Sequence, residues 1–106
     1  MLIINAPGIP LDHTFSQEFK TSLLEQLKDQ TKVVLNLGRL MYMDSSGLGV
    51  LVACHQEFSK RGGDLRLARV PTQIQAVFQV VRLASVFRSF ASVDEAVSSF
   101  PSDQGR

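Results

Sequence analysis

The stretch whose residue types can do chemistry is Asp44-Ser45-Ser46-Gly47-Leu48-Gly49. Asp and Ser oxygens accept from the backbone N–H groups that a helix leaves without partners at its start. Gly47 and Gly49 remove side-chain bulk from the first turn, which opens that backbone to close approach by another protein. Two hydroxyls then stand beside the positive end of a helix dipole, with a carboxylate next to them. The plainest role for Asp44, Ser45 and Ser46 is to cap a helix. Two consecutive serines exceed what one cap requires, however. A phosphate on Ser45 would add close to two negative charges where the dipole tolerates them. Beside Asp44 it would form a doubly acidic knob that an acidic or apolar partner surface rejects. So modified, the corner would be an interaction switch rather than an active site; on the residues alone, the cap is the commoner role.

Catalytic readings of the same residues fail on spacing. A hydrolase elbow needs Gly-x-Ser-x-Gly with later acid and histidine partners. Met43 replaces the first glycine if Ser45 is the nucleophile, and the histidines available are His13 and His55. Neither matches the elbow's late histidine, and His55 falls on an apolar stripe, where a packed ring is expected. A serine hydrolase is therefore a distant third possibility. Gly47-Leu48-Gly49 lacks the third glycine of a dinucleotide motif and the Gly-Lys-Ser/Thr of a nucleotide triphosphatase. No Cys/His cluster has metal-ligand spacing. We expect no catalytic residue, no cofactor and no metal. Cys54 is the single cysteine, so an internal disulfide is excluded, in keeping with a reducing cytosol. Its helical setting makes it a small buried apolar residue.

Other partners are limited by charge and hydropathy. The formal net charge is +1 with scattered charges, which gives no case for nucleic acid or acidic membranes. No apolar run approaches the length of a bilayer span. Met1-Leu2-Ile3-Ile4-Asn5 lacks the features of a signal peptide, so a cytoplasmic protein is expected.

The elements that position the corner follow in chain order. Leu2-Ile3-Ile4 reads as a short strand, ended by Ala6-Pro7-Gly8-Ile9-Pro10. Thr14 with Gln17 fits a capping box, opening a helix to about Lys28 with Phe15, Phe19, Leu23, Leu24 and Leu27 on one stripe. Residues 32–37 form a buried strand. The helix after the serines runs from about Ser46 to Lys60, with Leu48, Leu51, Val52, His55 and Phe58 inward and Gly62-Gly63 at its end. Asp64–Ala68 is a third strand, and Pro71 opens a helix with Ile74, Val77, Phe78 and Val81. Val86–Phe90 is a fourth strand. Ser92 and Glu95 make a second capping box before Val93, Ala96, Val97 and Phe100. Strict alternation predicts an α/β fold: one mostly parallel four-stranded sheet, right-handed crossovers and four helices. The domain spans residues 1–100, with a polar tail at 101–106. Leu35, Leu37, Leu48, Leu51, Val52, Phe78 and Val81 should be largely buried.

Val33-Val34-Leu35-Asn36-Leu37 followed by Met43-Asp44-Ser45-Ser46-Gly47-Leu48-Gly49 resembles the signature of the bacterial anti-sigma-factor antagonists, the stand-alone STAS domains. The likeness continues through Gly62-Gly63-Asp64-Leu65, Phe78 and Leu83 to the helix around Ala96. The resemblance implies that Ser45 is phosphorylated by a partner that is both anti-sigma factor and serine kinase, and that a PP2C-type phosphatase reverses this. The unphosphorylated form would bind the kinase and free the sigma factor. Asp12, in Leu11-Asp12-His13-Thr14, matches a family acidic position, and the implied partner-binding surface is Asp12, Asp44, Ser45, Ser46, Gly47 and Leu48, the first five exposed together. Two departures stand out: the family's extra first strand is lacking, and the loop Gly8–Asp12 is one residue longer than the common pattern. A monomer or weak homodimer is expected. The alternative use of the fold is a STAS regulatory subunit of a transporter or stress-sensing complex.

Overall fold

The computed structural model describes residues 1–80 and 87–100. Val33, Val34 and Leu35 have no polar side to show to water, and the strand that holds them, β3 (Lys32–Asn36), lies inside the sheet. It pairs in parallel with β1 (Leu2–Asn5) on one side and β5 (Asp64–Ala68) on the other. A two-residue strand, β6 (Ser89–Phe90), extends β5, so the order is β1-β3-β5-β6.

Alternation along β3 and β5 divides the interior in two. Val33, Leu35, Leu65 and Leu67 face the larger core, with Phe19, Leu23 and Leu27 of α1 (Ser16–Leu27). Leu48, Leu51, Cys54 and Phe58 of α2 (Ser45–Lys60) complete it, joined by Ile74 and Phe78 of α3 (Thr72–Val80). Val34 and Ala68 face the other way, onto Ala96 of α4 (Val93–Ser98) and Phe100. This thinner layer is tied down by Arg66. Its side chain is 4% exposed, pairs with both oxygens of Asp64 (3.2 and 2.8 Å) and donates to the Ser99 carbonyl at 2.7 Å. The guanidinium lies 4.2 Å from the Phe100 ring centre.

Both ends of α2 are closed locally. At its C-terminus Gly63 N–H donates to the Phe58 carbonyl and Gly62 N–H to that of Ser59, a Schellman pair. Gly62 has φ +83°, a left-handed conformation that a Cβ would strain. Arg61 donates to the Leu27 and Lys28 carbonyls at 2.8 Å each, closing the end of α1 from its neighbour.

Several expectations are corrected. The Thr14–Gln17 box does not form: α1 begins at Ser16, and its cap position, Phe15, makes no side-chain cap bond. Asp12 replaces the box, its Oδ1 accepting from Thr14 N–H at 2.9 Å. An ST-type cap loses to an Asx turn two residues earlier. Val52 and His55 are half-buried, at the margin of the inward face of α2. Pro71 stands just ahead of α3, its carbonyl accepting from Ile74 and Gln75. The fourth strand shortens to Ser89–Phe90, and Val81, Leu83, Val86 and the 101–106 tail lie outside the described residues. The Ser92 cap does form, accepting from Glu95 N–H at 3.1 Å. A second, two-stranded parallel sheet was not foreseen: β2 (Pro10–Leu11) pairs with β4 (Tyr42–Met43). Two-residue strands have no periodicity to read.

Candidate functional site

That small sheet builds the corner. Leu11 stands opposite Met43, and Asp44 N–H donates to the Leu11 carbonyl at 3.3 Å. Both Leu11 and Met43 are buried, so the pair is anchored from below. The next residue on each segment, Asp12 and Asp44, emerges half-buried on the same side of the molecule as the start of α2. Residues far apart in sequence are thereby brought together.

Asp44 is the cap of α2. Its backbone is extended, and Oδ1 accepts from Ser46 N–H at 2.8 Å and Gly47 N–H at 3.2 Å. Ser45 is the first helical residue, exposed, and its hydroxyl makes no hydrogen bond among the described residues. Ser46 is half-buried. The carboxylate thus does the capping alone and leaves the Ser45 hydroxyl free at the positive end of the helix.

Gly47 and Leu48 are buried, which corrects the expectation of an open turn at Gly47. A Cβ on Gly47 would lie 2.1 Å from the Leu11 carbonyl oxygen. This glycine admits β2 against the first turn of α2, and the close approach is internal. Gly49 is the exposed one, with nothing within 4 Å of its Cβ position.

Three features of the site escaped the sequence. His13 places Nδ1 4.0 Å from Asp44 Oδ2, the oxygen that the cap does not use, while 81% of its side chain stays exposed. Its place in Leu11-Asp12-His13-Thr14 was the available signal, and the β2–β4 pairing gives it meaning. Met41 and Tyr42 are exposed on the segment that leads into the corner. A hollow of about 220 Å³ lies between the segment leading into β2 and α1, lined by Pro7, Ile9, Phe15, Glu18, Phe19 and Ser22.

Two titratable groups outside the corner, Cys54 and His55, are engaged in packing. Burial pushes the Cys54 thiol up to about 11, so it stays protonated and inert. Burial also holds His55 below the usual histidine value, against the pull of Asp64, and its ring packs edge-on against Phe87 at 5.0 Å. Among the described residues no helix is long and apolar enough to cross a membrane. What the corner offers is an exposed hydroxyl able to accept a group delivered from outside, on a helix end that favours an anion.

A parallel α/β sheet with a serine-bearing helix start of this form defines a class. The STAS domain family matches residues 1–96, and the chain belongs to it. Over 101 residues it is 29% identical to BtrV of Bordetella bronchiseptica, named as an anti-sigma factor antagonist, covering 94% of this chain and 86% of that one. A Thermotoga maritima protein named as an anti-sigma factor antagonist superposes with TM-score 0.83 at 23% identity, over 91% and 85% of the two chains. A sulfate transporter family protein from Wolinella succinogenes gives 0.77 at 19%, over 92% and 82%.

Proposed function

We propose that this chain is an anti-sigma-factor antagonist switched by phosphorylation of Ser45. Unphosphorylated, it binds a serine kinase that is itself an anti-sigma factor; phosphorylated, it lets go, and a PP2C-type phosphatase resets it. In the transfer, the γ-phosphoryl group of kinase-bound ATP passes to Ser45 Oγ. The new O–P bond replaces the one to ADP, and the hydroxyl proton leaves to a base on the kinase. Asp12, Asp44, Ser45 and Ser46 form the surface that the kinase reads, with Gly47 and Leu48 holding it from beneath.

The observation that carries this reading is the exposed Ser45 hydroxyl, released from capping duty by Asp44. A phosphate there leaves the cap bonds intact, and the helix end offsets part of its charge by roughly 0.3–1 kcal/mol. Against a partner the same charge is costly. Each close like-charge contact at an interface costs roughly 1–4 kcal/mol, and about 1.4 kcal/mol is tenfold in affinity. The transporter-subunit alternative has the Wolinella fold in its favour, but it gives the free hydroxyl no task.

The test is titration of the purified kinase with wild-type, Ser45→Ala and Ser45→Asp protein, with melting temperatures alongside. Ser45→Ala should bind as wild type does and melt with it. Ser45→Asp should bind more weakly while melting normally, and phosphorylated wild type more weakly still. Equal affinities for all forms would reduce Ser45 to an ordinary first helical residue.

A further inference from the structure

We propose that His13 is the counter-ion of the phosphorylated corner, a proton-dependent cation that tempers how strongly a phosphate on Ser45 repels the partner; this rests on the phosphorylation reading above. The two segments that meet at the corner, residues 7–19 and 40–54, contain no lysine or arginine. His13 is the one residue of both that can carry a positive charge. Against it stand Asp12, Asp44 and, in the first turn of α1, Glu18. A phosphate on Ser45 would bring nearly two more negative charges to this surface.

The fold fixes the base of this side chain and leaves its ring free. The Asp12 carbonyl accepts from Phe15 N–H at 3.1 Å and Ser16 N–H at 2.8 Å, and Asp12 Oδ1 from Thr14 N–H, so the turn that carries His13 is held from both sides. Asp44 spends Oδ1 on the Ser46 and Gly47 N–H groups and faces the ring with Oδ2. The 4.0 Å from Nδ1 to that oxygen is longer than a hydrogen bond, and 81% of the side chain is exposed. The ring is set against the carboxylate beside Ser45 without being committed to it. A phosphoryl group on the next residue offers a denser negative charge at the same helix end, and the ring turns to it. Histidine changes charge near neutral pH, and the second ionisation of phosphoserine lies close by, at about 6, so the two titrate as a pair. An imidazolium favours the phosphate dianion, and reciprocally phosphorylation draws a proton onto the ring. In mild acid the charged ring cancels part of the phosphate charge that the partner meets. Above neutral pH the ring is uncharged and the repulsion is full.

The experiment uses the full chain with phosphoserine genetically encoded at position 45, so that no kinase is needed to prepare it. Phosphorus-31 NMR follows the phosphate ionisation between pH 5 and 8 in wild type, His13→Gln and His13→Lys. The wild-type midpoint should lie below that of His13→Gln by about a few tenths of a pH unit, as an exposed ion pair provides, and the gap should close in high salt. His13→Lys should keep the low midpoint, and all three proteins should melt alike. At pH 6, phosphorylation should lower affinity for the purified kinase about two- to threefold more in His13→Gln than in wild type. Equal midpoints in the three proteins would overturn this inference and leave the phosphorylation reading standing. A kinase affinity that ignores the phosphate in wild type would overturn the switch on which it rests, and the midpoints would still decide whether His13 pairs with the phosphate.

Discussion

A Cβ on Gly47 would meet the Leu11 carbonyl oxygen at 2.1 Å and the Leu11 Cγ at 2.8 Å, whereas one on Gly49 would meet nothing within 4 Å. Backbone atoms cannot step aside as a flexible side chain does, so Gly47→Ala must part β2 from the first turn of α2. We expect a loss of about 1–3 kcal/mol, read as a fall in melting temperature of several degrees, with weakened kinase binding because Asp12 moves with Leu11. Gly49→Ala should instead stabilise, by up to about 1 kcal/mol, since helix-interior glycine carries an entropic penalty and nothing opposes the methyl group. Thermal melts of the two variants side by side are the check; equal shifts would refute the assigned contact. In the sequence these glycines look alike. Which one is crowded depends on a strand that approaches from far along the chain, and local chemistry holds no trace of it.

Elements bounded by local chemistry were legible. The Asp44 start and Gly62-Gly63 end of α2 came from residues that complete their own hydrogen bonds within a few positions, and the structure agrees to within a residue. The Thr14–Gln17 box had equal credentials, and Asp12 displaced it by turning the chain first. The short strands β2 and β4 were illegible because pairing, with no periodicity, defines them. Neither was the tie between α4 and the sheet foreseen, since Arg66 alternates like any strand residue yet points inward. α4 is only six residues long, too short to persist unaided. Arg66→Ala removes the Asp64 pair, the bond to the Ser99 carbonyl and the Phe100 stacking together. Hydrogen bonds to a charged group contribute roughly 1.5–3 kcal/mol, so the variant should melt markedly lower. Amide exchange should rise first across residues 93–98. Unaltered protection there would show that apolar packing on Val34 and Ala68 suffices.

For the molecule as a whole, acid should act through the larger core as well as the surface. His55 Nδ1 is buried with no hydrogen-bond partner among the described residues, and the ring is held below the usual value of 6.5 by burial. The unfolded chain therefore binds a proton more readily than the folded one. The stability of the neutral ring is present above about pH 6.5 and is lost as pH falls from there through the folded value. Melting temperature should drop between pH 7 and 5, and His55→Gln should flatten that slope; an unchanged slope would assign it to carboxylates. The mostly parallel sheet and the family followed from strand and motif, while the surface around the corner needed the assembled chain. That assembly bears on who is marked. Asp12 and Asp44 are neighbours only while β2 lies on β4, held by a two-residue ladder. A nascent or damaged copy would still display Ser45, but with half of the proposed recognition surface adrift. A kinase that demands both carboxylates inspects the substrate's architecture as well as its motif. On the proposed phosphorylation of Ser45, phosphate would then tally properly built molecules, and a faulty copy would go unmarked without occupying the kinase.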